Sequence, residues 1–470
     1  MVMTAKMQNI ELIKFSEFIN WDVKRFISKE NIFNFPICHF SNVLSLVKMD
    51  WVSIENDSEY PILGVHSNGK GVFINRVAKG KELTMRKYQK SKAFHLFFCK
   101  VRTVNGQFGV VYPEFENTYG SSNMQYLKIA LDKINPKYLE LLFSLKSLTD
   151  QWNRLAIGAD GRHFTLNTLL DLEIPLPPLD DEDAKKRNLP NEITQEKLVA
   201  TYNKIIGKAE EAKIKAKEKE TEIEEYLISV LGISKKQKQV ANLGLSFVKF
   251  SFIERWDILS LLGTSNIAKS EHSNIKLSKV IKAFNNDLNG TSLRFETYKQ
   301  GKQDFHYLGM ENVERNSGKV IELPIVKGSQ VKSQTIKVPS DFLIYGKLRP
   351  YLNKYWHNTT QYDNIVCSSE FFVFDIDSTL IDKSYFICVL SSSIIQNQIK
   401  DKFSGVRMPR ISSTDFYDLQ IPLPKDLTLQ KNIANTINIL RAEIASLLAS
   451  NIQMQQQALL DFENQIFKHN

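Results

Sequence analysis

Basic and amide side chains cluster in two separate stretches of this chain. Residues 81–92 carry Lys81, Arg86, Lys87, Lys90 and Lys92, with Gln107 a short way on. Residues 327–337 carry Lys327, Gln330, Lys332 and Gln334. A spaced pair, Lys100 and Arg102, recurs as Lys347 and Arg349. Ammonium and guanidinium groups suit phosphate oxygens and guanine edges, and a primary amide suits adenine. This is the chemistry of binding. Bond-making chemistry has no such signature: no GxxxxGK[ST] loop, no Asn-Pro-Pro-Tyr and no HExxH occurs. The eight histidines, His163 among them, are scattered, and Cys38, Cys99, Cys367 and Cys388 lack CxxC spacing. Neither a metal site nor a disulfide framework is expected. Gly158-Ala-Asp-Gly161 is glycine-rich but lacks the three spaced glycines of a dinucleotide loop, and it reads as a turn at a helix end.

The elements that must position these residues are repeated. Gly158 to Pro177 and Gly405 to Pro424 are two versions of one phrase, each ending in Ile-Pro-Leu-Pro. The offset is a constant 247 residues, from Gly158 to Gly405, Asp171 to Asp418 and Ile174 to Ile421. The same offset carries Lys100 and Arg102 onto Lys347 and Arg349, Ser121-Ser122 onto Ser368-Ser369, and Tyr138 onto Tyr385. Trp21-Asp22 echoes Trp256-Asp257 at a slightly different offset. A constant register over this length indicates internal duplication. Two prolines in four residues force an extended exit, which would seat each globular region against the helix that follows.

Each copy reads as a mixed α+β domain followed by a long helix. Residues 1–20 form an amphipathic lead-in, and the first domain spans residues 1–178. Its β-rich runs are Ala93–Val101 and Phe108–Val111, and Pro136–Leu148 has helical spacing. A polar connection over 178–191 leads to a helix over 192–232, with Gly232 as its stop. Leu198, Tyr202, Ile205, Ile206 and Ala209 mark its first apolar stripe, and Ile223, Tyr226, Leu227 and Val230 its last. Alanines between them allow close helix approach. The second domain spans residues 250–424, with strands at Phe342–Tyr345 and Glu370–Phe374 and a helix over Lys383–Ile399. The last helix, over 428–468, carries a heptad seam at Ile433, Ile437, Leu440, Ile444, Leu447, Asn451, Met454 and Ala458. Asn451 is either a tolerated polar residue or a register pin. Two apolar-striped helices need partners, and pairing them antiparallel within one chain, as a coiled coil with a domain at each end, satisfies both.

Composition sets outer bounds. A chain of 470 residues holds two to four domains with real cores. Its net charge of +9 is compatible with a polyanionic partner. No apolar run is long enough to span a membrane, and the N-terminus lacks the basic-then-apolar pattern of a signal peptide, so a cytoplasmic protein is expected.

The order of domain, Ile-Pro-Leu-Pro, long helix, and then the same again resembles the specificity (S) subunit of type I restriction–modification systems. The resemblance covers almost the whole chain. It is strongest at the two Ile-Pro-Leu-Pro phrases with their helices, and at Phe342-Leu-Ile-Tyr-Gly-Lys-Leu-Arg-Pro350 with Ser368-Ser-Glu370. The first half departs from this pattern, with no proline after Arg102 and with Asn123 in place of the glutamate. The resemblance implies two target-recognition domains, each reading one half of a split, asymmetric DNA site. The helices would set the gap and dock two methyltransferase (M) subunits, and a nuclease–translocase (R) subunit would join for cleavage. S-adenosylmethionine, ATP and magnesium would act on those partner chains, leaving this one without catalysis. Positions shared by both copies cannot easily explain two different half-sites. Lys100, Arg102, Lys347 and Arg349 are therefore expected to be scaffold or phosphate contacts. Base readers are expected in 81–92, at Gln107 and in 327–337. The competing readings are a coiled-coil protein-interaction adaptor and a single-chain restriction enzyme.

Overall fold

Each Ile-Pro-Leu-Pro phrase closes a globular region as its last strand. The structure, a computed structural model, describes residues 33–100, 103–156, 163–233, 270–400, 402–404 and 407–468. The amphipathic lead-in, both Trp-Asp pairs, Arg102 and the turn at 158–162 lie outside the described residues. The chain divides into two units, residues 1–213 with 449–470, and residues 214–448.

In the first unit a four-stranded antiparallel sheet has the order Leu44–Leu46, Met124–Ile129, His95–Cys99, Phe108–Val110. Leu96 and Phe98 face one core cluster with the helices Pro136–Ser144 and Lys146–Trp152, while Phe97 faces another. Burial on both faces explains why the strand is apolar throughout instead of alternating. A five-stranded sheet follows the order Trp51–Ser53, Lys87–Lys90, Tyr119–Gly120, Glu59–Val65, Val72–Lys79, with Ile62 and Tyr119 in parallel register.

The second unit repeats this topology. Its four-stranded sheet runs Ile281–Phe284, Phe371–Ile376, Leu343–Gly346, Tyr355–His357, and Ile344 faces away from the cluster that holds Leu343 and Tyr345. Its five-stranded sheet runs Arg294–Phe295, Thr335–Lys337, Ile365–Ser368, Asp304–Leu308, Ile325–Lys327, and its parallel pair is Asp304–Leu308 with Ile365–Ser368.

Two helices differ from their sequence expectation. The stretch from Pro136 breaks at Leu145, whose ψ of 114° is extended. The stretch from Lys383 breaks at Ser391 and Ser392, and Ser392 caps the helix Ser393–Ile399 through its side chain. The apolar stripe continues across both breaks, so periodicity alone reads one helix. The polar connection after Pro177 holds a short helix, Asp181–Lys186, capped by Asp180.

The long helices are Gln195–Val230 and Leu427–Ile466, about 54 and 60 Å at 1.5 Å per residue. Gly232 ends the first at φ +56°, with Ile233 N–H donating to the Ile228 carbonyl. In the first unit Leu198 and Val199 share a core with Phe462 and Ile466, and Asn451 Nδ2 donates to the Ala209 carbonyl at 2.5 Å. In the second unit Leu227 and Leu231 share a core with Ile433 and Ile437, and Lys219 pairs with Glu443 at 2.5 Å. Early residues of one helix meet late residues of the other in each unit, so the pairing is antiparallel. The seam residues Ile433, Ile437, Leu440, Asn451 and Ala458 are buried.

A buried glutamine fastens each long helix to its domain. Gln195 and Gln430 are fully buried. Gln195 Oε1 accepts from Asn135 N–H at 2.8 Å, and its Nε2 donates to the carbonyls of Pro177 at 2.9 Å and Lys133 at 3.1 Å. Gln430 Oε1 accepts from Asp382 N–H at 2.7 Å, and its Nε2 donates to the carbonyls of Pro424 at 2.8 Å and Leu380 at 3.4 Å. The first proline of each phrase is bound as well: Tyr138 Oη donates to the Pro175 carbonyl at 2.9 Å, and Tyr385 Oη to the Pro422 carbonyl at 2.7 Å. The phrase thus offers two carbonyls, one to the domain core and one to the helix base.

Candidate nucleic-acid interface

The stretches 81–92 and 327–337 occupy the same place in their units. Each begins with a 3-10 turn, Gly80–Glu82 or Gly328–Gln330, that follows an edge strand of the five-stranded sheet. Each then enters the strand Lys87–Lys90 or Thr335–Lys337, second from the opposite edge. The turns match bond for bond. Gly80 N–H donates to Ser58 and Gly328 N–H to Gln303; Lys81 N–H donates to Asn56 and Ser329 N–H to Gly301. A Cβ on either glycine would strike a backbone carbonyl, that of Glu55 or Thr297. Both turns close on a side chain, since Lys79 N–H donates to Glu82 at 3.2 Å and Lys327 N–H to Gln330 at 2.8 Å.

This correspondence sorts the candidates. Lys327 stands where the first unit has Lys79, and it pairs with Asp304 at 3.6 Å. Gln330 stands at the Glu82 position with its oxygen engaged in the turn. Lys90 pairs with Tyr119 and Lys337 with Val366, so lysine occupies that strand position in both units. These three occupy positions whose place in the sheet or turn is the same in both units. Lys81, Lys87, Lys332 and Gln334 are exposed. Arg86 is also exposed, and its guanidinium reaches Asn56 Oδ1 at 3.4 Å. Lys92 lies 3.8 Å from Asp50, and Lys48, Lys90, Lys92, His95 and Asp50 line one open cleft of about 350 Å³. Gln107 is half-buried and lies beside the other sheet, at Phe108–Val110, apart from this group.

Lys100 and Lys347 are held alike. Lys100 Nζ donates to the Ser122 carbonyl at 2.9 Å and Lys347 Nζ to the Ser369 carbonyl at 2.8 Å. Lys347 also lies 5.0 Å over the Phe372 ring, and burial holds its ammonium below the usual lysine range. Both lysines brace the Ser-Ser turn. Arg349 is exposed in left-handed backbone at φ +48°.

Sequence reasoning missed two features. One is the glutamine pair, 18 residues after Pro177 in the first copy and six after Pro424 in the second, whose shared signal is only a glutamine in the first turn of each long helix. The other is a bidentate pair in the second unit, with Arg410 Nε 3.0 Å from Glu370 Oε2 and Nη2 2.8 Å from Oε1. The matching positions in the first copy are Asn123 and His163, so both partners change together. Among the described residues no group of three acidic, histidine or cysteine side chains could hold a metal ion. None of the described helices is long and apolar enough to cross a membrane.

No protein-family model matches the chain, and no curated protein does. Solved structures do. A chain from a structure of the complex assembly and conformational transition of a type I R-M system aligns with a TM-score of 0.51 at 12% identity, covering 93% of this chain and 99% of that one. The HsdS subunit from Thermoanaerobacter tengcongensis aligns at 0.38 and 12%, covering 92% and 96%. The S subunit of a type I restriction–modification system from M. genitalium aligns at 0.42 and 14%, covering 94% and 99%. The first of these shows that the chain shares its fold with a chain of a type I R-M system.

Proposed function

We propose that this chain is the DNA sequence-specificity subunit of a type I restriction–modification complex. Each unit's five-stranded sheet and its 3-10 turn read one half of a bipartite, asymmetric site. The observation that carries this reading is the pair of matched turns: the backbone frame is the same, while the exposed side chains it presents differ. One frame with two sets of side chains is what reading two different half-sites requires, since phosphate contacts position a protein and base-edge contacts specify sequence. Lys81, Arg86 and Lys87 in the first unit and Lys332 and Gln334 in the second are the base-reading candidates.

The paired helices set the gap between half-sites and dock two methyltransferase subunits, and a restriction–translocase subunit joins for cleavage. S-adenosylmethionine, ATP and magnesium act on those partners, and this chain is non-catalytic and cytoplasmic. Modified-base sequencing of the source genome with this gene intact and deleted tests the reading. A split motif with methylated adenines that disappears on deletion is expected. Methylation that persists unchanged overturns it.

A further inference from the structure

We infer that Arg349 and Arg407 form a phosphodiester-binding pair on the second recognition domain, completed in that repeat alone. The inference rests on the DNA-binding reading above and deepens it.

Four cations, Lys347, Arg349, Arg407 and Arg410, flank the antiparallel bridge between Leu348 and Arg410. Leu348 and Arg410 are bridged, Ile411 N–H donates to the Lys347 carbonyl at 3.1 Å, and Arg349 N–H donates to the Pro409 carbonyl at 2.7 Å. Two of the four are engaged internally. Lys347 binds the Ser369 carbonyl, and Arg410 forks onto Glu370 while its Nη1 donates to the Met408 carbonyl at 3.3 Å. These bonds hold the backbone just after Arg407. The other two cations, Arg349 and Arg407, are exposed, and neither has an ion-pair partner among the described residues.

Arg349 is held in left-handed backbone, which a side chain this bulky rarely adopts, and strain of this kind marks sites where position matters. Pro350 after it and Pro409 opposite it stiffen both strands. The result is two guanidiniums with no ion-pair partner among the described residues, beside one cation paired to Glu370 and one held by the Ser369 carbonyl. Guanidinium forks match phosphate oxygens in a way that ammonium groups do not. In the first repeat the position of Arg407 is Asp160, and that of the Glu370–Arg410 brace is Asn123 and His163. The two domains therefore hold the DNA backbone unequally.

The test measures binding of a mixed-sequence duplex to the full chain, purified with the methyltransferase it accompanies, across a salt series. The double variant R349Q/R407Q should lower the slope of log affinity against log salt by about two, at roughly 0.9 per phosphate contact, and weaken binding about tenfold at moderate salt. R349K/R407K should retain most of the slope, since it keeps the charge. Unfolding temperature establishes that each variant folds, and R349G, which suits the left-handed backbone, serves in place of R349Q if it does not. An unchanged slope in a folded double variant overturns the pair while leaving the DNA-binding reading intact. Loss of methyltransferase copurification at unchanged slope overturns it in favour of an acidic protein partner. A wild-type chain with no salt-dependent duplex binding overturns both.

Discussion

Arg86 and Gln330 lie in the matching stretches of the two units but are held differently. Gln330 is an amide, the group suited to adenine, yet its oxygen closes its own turn on Lys327 N–H. Arg86 is exposed, and its guanidinium makes a long hydrogen bond to Asn56. The amide was legible as chemistry but its engagement was not, because a capping bond three residues back leaves no trace in a lone sequence. Comparing the two copies supplies what one copy lacks: Glu82 closes its turn as Gln330 does. The prediction at this scale separates the two classes. Replacing Lys81, Arg86 and Lys87 together with Ala should relax the first half-site at particular base pairs, each lost base contact costing about 1–3 kcal/mol of discrimination, and leave the second half-site unchanged. Modified-base sequencing reads this directly. A uniform fall at all sites, with both half-sites intact, would reassign these residues to phosphate.

Gln195 and Gln430 make the join between domain and helix a matter of hydrogen bonds as well as packing. Each buried amide satisfies one N–H and two carbonyls, of which the Pro177 and Pro424 carbonyl bonds are buried. The nearly isosteric change Gln430→Leu would strand the Asp382 N–H and the Pro424 carbonyl inside the second unit. We expect a loss of about 1–3 kcal/mol, read as a lower unfolding temperature or denaturant midpoint. An unchanged midpoint would show that the helix is seated by its apolar face alone. The duplication, both long helices and the Asn451 seam position were legible because each is a long-range regularity: a fixed offset, a heptad, a polar break in it. The Asn451 side chain is satisfied by the Ala209 carbonyl on the facing helix. The five-stranded sheets were not legible, because strands such as Tyr119–Gly120 and Arg294–Phe295 hold two residues and carry no period. The breaks at Leu145 and Ser391 were hidden by an apolar stripe that runs through them.

A chain built as one plan repeated at an offset of 247 residues uses duplication for a purpose that a single domain cannot serve. If two frames read two sequences, the length of helix between them becomes a variable independent of either reading. Adding one heptad to each long helix extends it by about 10 Å, or about three base pairs at 3.4 Å each. A heptad also returns the seam to the same face, so the added segments can pair without disturbing the Asn451 contact or the glutamine joins. We therefore expect the methylated motif to keep both half-sites and to lengthen its gap by about three base pairs. Three base pairs also turn one half-site by roughly 100° relative to the other, since a duplex turns once in about 10. The methylation rate should therefore fall even though each domain reads the same bases. Modified-base sequencing of cells carrying the lengthened gene distinguishes the outcomes. A longer gap with unchanged half-sites supports independent modules joined by a spacer, whereas altered half-site sequence would mean that the helices shape what the domains read.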